Sequence, residues 1–261
     1  MESNRQCLEA QADVVKRTYP GISVVIPARN EAQNLRYVLP NIPAMVSEVI
    51  LVDGHSTDDT IKVAQQLLPS IRVIKQQGNG KGDALRTGFA ACSGDIIVML
   101  DADGSADPQE ITRFVDALTA GSDFAKGSRF LLGSRSHDIT RLRRWGNNGL
   151  TMLVNTLYKT HFTDLCYGYN AFWRRCLEHI NIDSDGFEIE TLLNIQIHTA
   201  GLKVVEVPSI EYGRIHGTTN LNIFRDGWRI LLTIVREYWK NRQVVRTSEM
   251  VAVSPSKEVV L

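Results

Sequence analysis

The first half of the chain alternates short β-branched runs with helical patterns. Candidate strands cover residues 22–26, 48–52, 71–75, 95–100 and 123–126, and candidate helices cover 31–39, 57–68, 81–91 and 108–120. Such alternation is typical of a mostly parallel sheet covered by helices. It predicts an α/β fold with a single doubly wound sheet.

The regular alternation of strands and helices ends after about residue 133. An Arg-rich loop is followed by predicted helices at 144–158 and 187–199, a strand at 202–207 and a final amphipathic helix. We expect one domain over residues 19–241, with halves 19–132 and 133–241. The tails 1–18 and 242–261 are expected to be loosely ordered.

The final helix carries an apolar stripe made of Phe224, Trp228, Leu231, Leu232, Val235 and Trp239. A stripe of this kind is typical of a helix that faces the core, and this is the prediction. Its tryptophans and the basic residues Arg225, Arg229, Arg236 and Lys240 also suit peripheral contact with anionic lipid. A homodimer through this long helix is a further alternative.

Charge and cysteine content narrow the classes of partner. Lys plus Arg equals Asp plus Glu at 29 each, so no global field favours nucleic acid, and we expect no nucleic-acid partner. The four cysteines form no C-x-x-C pair, and the first residues lack the apolar core of a signal peptide. The run ILLTIV is far shorter than the roughly 20 residues of a membrane span. These features predict a cytoplasmic protein with reduced thiols, at most peripheral at the inner face of a membrane.

Polar loops follow the predicted strands, at residues 27–31, 53–58, 78–82 and 101–103. In an open α/β sheet a ligand binds beyond the carboxyl ends of the strands, so these loops are expected to meet. Asp101 and Asp103, spaced D-x-D, can hold a hard divalent cation that keeps open positions for diphosphate oxygens. For any single loop, helix capping and chain turning are alternative explanations.

Several familiar motifs are missing from the sequence. Gly78, Gly80 and Gly82 do not form G-x-G-x-x-G, and Lys81 is followed by Gly82 where a P-loop has Ser or Thr. The sequence also lacks a G-x-S-x-G elbow and an H-E-x-x-H zinc motif. A dinucleotide fold, a P-loop ATPase and a serine hydrolase are therefore not supported.

Four segments together carry a family resemblance: SVVIPARNEAQNL, VILVDGHSTDDT, GKGDALRTGFAACSGDIIVMLDADGSADP and KGSRF. They resemble the inverting family-two glycosyltransferases with the GT-A fold, in the branch of dolichyl-phosphate mannosyltransferases and bacterial polyprenyl-phosphate glycosyltransferases. LRRWGNNGLTMLVNTLY, TDLCYGYNAFWRR, DGFEIETLL and VPSIEYGRIHGTTNLN resemble later blocks of that branch. The resemblance covers roughly residues 21–239.

The resemblance implies transfer of a hexose from a UDP- or GDP-sugar with Mg²⁺ or Mn²⁺, and it makes 19–132 the donor half. Asp103 is implied as a direct metal ligand, and Asp101 as a ligand that acts directly or through water. Asp53 is implied to accept hydrogen bonds from the base or ribose, and Arg214 to add a cation to the diphosphate. The remaining implied nucleotide contacts are Pro27, Ala28, Asn30, Glu31 and Lys81.

The half 133–241 is implied to hold the acceptor, in this branch a polyprenyl phosphate. Arg129 and Arg144 match basic positions that face the acceptor phosphate. The chain departs from the branch at Asn148, where Ser is frequent, and in the Cys-Tyr-Gly-Tyr of TDLCYGYNAF. An ordinary solvated basic turn is the alternative for the arginines near 144.

The type of acceptor decides whether the enzyme needs a general base. A phosphate acceptor is already anionic, whereas the alternative, a soluble hydroxyl acceptor, needs a carboxylate to take its proton. Asp164 is the preferred candidate, with Glu188 or Glu190 as alternatives. Glu188 and Glu190 begin a predicted helix, so a purely structural role at its positive end is equally open.

Sugar-1-phosphate nucleotidyltransferases and non-catalytic nucleotide-sugar sensors are two alternative classes. A sugar-1-phosphate nucleotidyltransferase would need a glycine-rich loop with Arg and Lys after the first strand, and PARNEA lacks it. A non-catalytic nucleotide-sugar sensor would bind the donor without turnover, and the intact pair Asp101 and Asp103 argues against it. The sequence therefore favours a metal-dependent glycosyltransferase.

Overall fold

The computed structural model of the protein describes residues 20–219 and 221–253. The predicted tail 1–18 and the end of the predicted tail 242–261 lie outside these residues. The part of the second tail that is described is helical, because the last helix continues to Val253. The last helix therefore runs past the predicted domain boundary at residue 241.

Within the described residues, one seven-stranded sheet forms the centre of the fold. Its strands are β1 (Ile22–Ala28), β2 (Glu48–Asp53), β3 (Arg72–Lys75), β4 (Ile96–Met99), β5 (Phe124–Ser128), β7 (Asn170–Trp173) and β8 (Val204–Pro208). The strand order is β3-β2-β1-β4-β7-β5-β8. A separate pair joins β6 (Arg135–Ser136) to β9 (Ile210–Glu211) in parallel.

The sheet is mixed but mostly parallel, as predicted. Strands β1 to β4 pair in parallel, and so do β5 and β8. Strand β7 runs antiparallel between β4 and β5, with Val98 opposite Ala171. The sequence did not predict β7, because its four residues are too short a run to show a period of two.

The helices are α1 (Leu35–Val38), α2 (Thr60–Leu67), α3 (Lys81–Ala91), α4 (Ile111–Thr119), α5 (Arg141–Tyr158), α6 (Ile189–Thr199) and α7 (Ile223–Val253). Helix α1 is shorter than the predicted 31–39, and Asn30 before it has a left-handed backbone with φ of 57°. Helix α5 begins three residues earlier than the predicted 144. Thr140 caps it, since its hydroxyl accepts a hydrogen bond from the Arg143 amide at 3.3 Å.

Alternate residues of the strands supply two apolar cores, one on each face of the sheet. Val24 of β1 packs in the core that includes residues of α1, α2 and α4. Its neighbour Val25 packs on the other face with residues of α3 and α6. Burial on both faces explains why these strands are almost continuously apolar. The polar loops at the strand ends remain at the edge of the sheet.

The apolar stripe of α7 does not face the core, so the prediction for it is wrong. Five of its six residues are exposed: Phe224 81%, Trp228 61%, Trp239 56%, Leu232 50% and Val235 41%. Ile230 and Ile234 are buried instead, in a cluster with residues of α5 and α6. Periodicity shows that a helix has an apolar side, but it does not show which side meets the protein.

No helix in the described part of the chain combines the length and the apolarity that a membrane span requires.

Candidate active site

A cleft of about 910 Å³ lies at the carboxyl ends of β1, β2 and β4 and extends between α5 and α7. The predicted residues that line it are Pro27, Ala28, Glu31, Lys81, Asp101, Asp103, Arg129, Glu190 and Arg214. The predicted residues Asn30, Asp53, Arg144, Asp164 and Glu188 are not among its lining. Most of the predicted nucleotide and metal residues therefore line the cleft, whereas most of the predicted acceptor and base residues do not.

Lys81 joins two carboxylates at the floor of the cleft. It is the first residue of α3, and its Nζ lies 2.7 Å from Asp101 Oδ1 and 2.8 Å from Glu190 Oε1. Burial alone would lower the pKa of Lys81, but the two carboxylates raise it above its ordinary value. Burial raises the pKa of Glu190, although Lys81 opposes this effect. Lys81 is thus a fixed cation beside the D-x-D loop.

Arg214 joins the first strand loop to the D-x-D loop. Its Nη1 lies 3.2 Å from Asp103 Oδ2, and its Nη2 makes an ion pair with Glu31. Glu31 also accepts a hydrogen bond of 2.6 Å from Asn34, and burial raises its pKa despite Arg214 and Asn34. Glu31 therefore holds Arg214 in place at the side of the cleft.

Asp53 and Asn30 belong to the loops beside the cleft but are not among its lining residues. Asp53 is 2% exposed, its Oδ2 accepts from the Ser56 amide at 3.3 Å, and its Oδ1 is buried without a hydrogen-bond partner among the described residues. A buried acceptor without a partner is costly, so this oxygen suits a donor group of a ligand. Asn30 Oδ1 instead accepts from the Thr57 amide at 2.8 Å, which ties the first two loops together.

Asp101 and Asp103 fit a divalent cation that a substrate shares. Both line the cleft and both offer carboxylate oxygen, the donor that Mg²⁺ and Mn²⁺ prefer. Over the described residues, no group of three or more His, Cys, Asp and Glu forms a complete metal site. Magnesium in nucleotide enzymes is commonly bound by one or two carboxylates plus substrate phosphates and water. The D-x-D loop has the ligands for this kind of site.

Asp164 is engaged by Arg129. Arg129 Nε lies 2.7 Å from Asp164 Oδ2, and Nη2 lies 3.0 Å from Oδ1. Arg129 Nη1 makes a third bond to Glu211 at 3.0 Å. Burial alone would raise the pKa of Asp164, but Arg129 with Lys126 lowers it below its ordinary value. A fully buried carboxylate with this pKa is a weak proton acceptor.

The cleft side of α5 presents Arg143 and Asn147, one turn apart, in place of the predicted Arg144. Asn147 is 5% exposed; its Oδ1 accepts from the Cys166 amide at 3.0 Å, and its Nδ2 is buried without a partner among the described residues. Arg143 Nη1 lies 3.3 Å from Asp138 Oδ2. Arg144 is exposed and its guanidinium lies over the Phe130 ring, 5.0 Å from the centroid. Arg143 therefore lines the cleft, whereas the predicted Arg144 does not.

Glu188 and Glu190 differ in position. Glu188 accepts from the Gly186 amide at 3.2 Å, a bond within the turn that precedes α6. Glu190 is 4% exposed and lines the cleft beside Lys81. Of the two alternative bases, Glu188 thus makes a local structural contact, and Glu190 lies in the site.

The sheet is mostly parallel, its D-x-D loop lies at the carboxyl edge, and the cleft at that edge extends to the basic residue Arg143. This combination is typical of a GT-A-type glycosyltransferase. Residues 23–180 match the family model described as glycosyl transferase family 2. The chain belongs to this family, which confirms the resemblance, the fold class and the enzyme class predicted from the sequence. The nucleotidyltransferase alternative is therefore excluded.

Similar proteins cover most of the chain. Glycosyltransferase AglJ of Haloferax volcanii is 33% identical over 222 residues, which are 84% of this chain and 72% of that protein. A dolichyl-phosphate hexose transferase of the same organism is 30% identical over 223 residues, which are 84% of this chain and 94% of that protein. Among solved structures, glucosyl-3-phosphoglycerate synthase from Mycobacterium tuberculosis, in complex with Mn²⁺, UDP-glucose and phosphoglyceric acid, is 25% identical with a TM-score of 0.65, covering 88% of this chain and 82% of that one.

Proposed function

We propose that the protein transfers a hexose, with inversion, from a UDP- or GDP-sugar to the phosphate of a polyprenyl phosphate. The observation that carries this proposal is the cleft with two chemically different ends. One end presents the carboxylates Asp101 and Asp103, and the other presents Arg143 and the unpaired amide of Asn147. The first suits a metal-bound diphosphate, and the second suits a free phosphate.

At the donor end, the D-x-D loop would hold Mg²⁺ or Mn²⁺, which when bound neutralises the charge that develops on the leaving nucleoside diphosphate. Arg214 adds a planar cation on the same side, held there by Glu31. The orphaned Oδ1 of Asp53 accepts a hydrogen bond from the nucleobase or ribose. Asn30 supports this pocket by fixing the loop that contains Thr57.

At the end of the cleft proposed for the acceptor substrate, the protein supplies more hydrogen-bond donors than hydrogen-bond acceptors. Among the described residues, Asn147 Nδ2 has no hydrogen-bond partner, and Arg143 contacts the partly exposed Asp138 at 3.3 Å. A phosphate between them gains charge-assisted hydrogen bonds. The relative named as a dolichyl-phosphate hexose transferase supports this class of acceptor.

A phosphate acceptor needs no general base, since its oxygen is already anionic. This agrees with the position of Asp164, whose two oxygens are both occupied by Arg129. We assign Asp164 to positioning Arg129 and not to proton transfer. Arg129 lines the cleft as well, and Asp164 and Glu211 engage three of its donors.

A soluble hydroxyl acceptor is the second candidate. Glu190 lines the cleft, and burial raises its pKa, which suits a base more than the lowered pKa of Asp164 does. The structurally similar glucosyl-3-phosphoglycerate synthase, solved with phosphoglyceric acid, supports this alternative. In it Glu190 would take the proton of the attacking hydroxyl.

Two measurements test the proposal. Calorimetric titration with UDP and with GDP, each in Mn²⁺ and in EDTA, is expected to show metal-dependent binding of one nucleotide. Transfer from the matching sugar nucleotides is then compared between a short-chain polyprenyl phosphate and the corresponding polyprenol. Transfer to the phosphate alone supports the proposal. Transfer to the alcohol, lost in Glu190→Gln, supports the second candidate instead.

A further inference from the structure

We propose that the exposed faces of α5 and α7 form a docking surface for an anionic lipid bilayer, with the mouth of the cleft turned towards the lipid. The docking itself follows from these two helices alone. Only its use, the delivery of a lipid-linked acceptor into the cleft, rests on the proposed function.

The exposed side of α7 is strongly apolar and aromatic. Phe224, Trp228, Leu232, Val235 and Trp239 follow one another at intervals of three or four residues, so they share one side of the helix. Each is 41% exposed or more. Large exposed apolar areas mark interaction surfaces more often than plain solvated ones.

Helix α5 adds a second set of exposed apolar side chains. Leu142 is 55% exposed, Trp145 is 80% exposed and Met152 is 72% exposed. The two helices pack together, since Val154 of α5 shares a buried cluster with Ile230 and Ile234 of α7. Their exposed aromatic residues therefore lie on neighbouring helices.

The same helix segments line the cleft. Trp145 immediately precedes Gly146, and Phe224 immediately follows Ile223; Gly146 and Ile223 are both lining residues. Trp228 likewise follows Gly227, which also lines the cleft. Trp145, Trp228 and Phe224 are thus each next in sequence to a residue that lines the cleft, whereas Trp239 lies further along α7.

The charges on these helices select the partner. Helix α5 contains no Asp or Glu, and its Arg141 and Arg144 are exposed. On α7, between residues 223 and 243, both acidic residues are buried, Asp226 at 1% and Glu237 at 3% exposure. The exposed cations of that stretch are Arg225, Arg229, Arg236, Lys240 and Arg242.

These cations are not all equally available. Arg236 and Lys240 contact Asp183, and Arg225 contacts the buried Asp226. The amino end of α5, with Arg141, Arg143 and Arg144 and no acidic residue in the helix, therefore has the clearest excess of positive charge, and residues of that end line the cleft. Basic side chains interleaved with tryptophan suit the headgroup region of an anionic bilayer. A second copy of this face would present the same cations and be repelled.

Flotation with phospholipid vesicles that contain no acceptor lipid tests the docking. We expect binding to vesicles that contain phosphatidylglycerol and little binding to phosphatidylcholine alone, with the difference reduced by salt. Trp228→Ala and Trp239→Ala are each expected to weaken binding by about tenfold, because each removes a large apolar side chain from the interface. Tyr37→Ala is the matched control, since Tyr37 is 48% exposed but belongs to α1.

Unchanged binding in both tryptophan variants, or no binding by the intact protein, would overturn the docking surface. A different outcome would assign this face to a second copy: the protein is dimeric in solution, Trp228→Ala makes it monomeric, and it does not bind vesicles. Vesicle binding without any transfer to polyprenyl phosphate would refute the proposed acceptor and leave the docking surface standing. The tryptophan variants are expected to keep normal transfer to a short-chain polyprenyl phosphate in free solution.

Discussion

Arg129 and Asp164 form a two-bond ion pair that is almost completely enclosed, with side-chain exposures of 8% and 0%. Arg129 directly follows β5, and Asp164 belongs to the loop between α5 and β7. The pair thus joins residues on either side of residue 132, the predicted boundary between the two halves of the chain. Burying two charges is costly, and the geometry of two parallel hydrogen bonds offsets much of that cost.

Removing one member of this pair is expected to destabilise the protein strongly. Asp164→Asn leaves the Arg129 charge buried with Glu211 as its main partner, so the free energy of unfolding should fall by about 3–5 kcal/mol. Denaturant unfolding measures this change. Asp183→Asn is the control, because it breaks exposed ion pairs worth about 0–1 kcal/mol. Equal effects of the two substitutions would contradict the structural role of Asp164.

The same pair predicts a dependence of stability on pH. The folded state holds the pKa of Asp164 below its ordinary value of 3.8, so its stabilisation is complete above that value. The stabilisation is lost as the pH falls through the lower pKa of the folded state. The difference in unfolding free energy between the wild type and Asp164→Asn should therefore shrink as the pH is lowered below about 4. A difference that is constant across this range would refute the assignment.

Part of the site could be located from the sequence because several of its residues lie at the ends of apolar strands. Asp53 ends β2, and Asp101 follows β4 closely, so finding the strands also located these side chains. Strand β7 was missed because its pairing is with β4 and β5, far away in the chain. Pairing of that kind leaves little trace in a four-residue run.

The acceptor side depends on how helices are rotated about their axes. Arg143 and Arg144 differ by one residue, and only the packing of α5 decides which one meets the cleft. The apolar stripe of α7 gave the helix correctly and its orientation wrongly, for the same reason. Asn147 and Asn148 stand one turn after Arg143 and Arg144 respectively, so the polar pattern of the sequence does not distinguish the two arginines.

Asp103→Ala is expected to abolish metal-dependent transfer, lowering the turnover rate by about a hundredfold or more if the cation is held as proposed. The rate is measured against Mn²⁺ concentration. Asp95→Ala is the matched control, since Asp95 precedes β4 and thus lies at the opposite end of the same strand. A wild-type dependence on Mn²⁺ in Asp103→Ala would remove Asp103 from the metal site.

Arg143→Ala and Arg144→Ala test which of these two arginines of α5 contacts the acceptor phosphate. Loss of a charge-assisted hydrogen bond to phosphate costs about 1.5–3 kcal/mol, so Arg143→Ala should lower kcat/KM for the acceptor by about 10- to 100-fold. Arg144→Ala should have little effect on transfer to a short-chain acceptor in free solution, because its side chain lies over Phe130. Affinity for the nucleotide should be unchanged in both variants. The reverse order of effects would restore the sequence-based assignment of Arg144.

Lys81→Met tests whether Lys81 limits the rise in the pKa of Glu190. Without Lys81, burial acts on Glu190 unopposed, so the pKa of Glu190 should rise further. If transfer requires ionised Glu190, the acidic limb of its pH–rate profile then moves to higher pH, since a larger fraction of the carboxyl is protonated at a given pH. Lys62→Met, an exposed lysine of α2, is the control and should leave the profile in place. An acidic limb that stays fixed in Lys81→Met would show that the ionisation of Glu190 does not govern transfer.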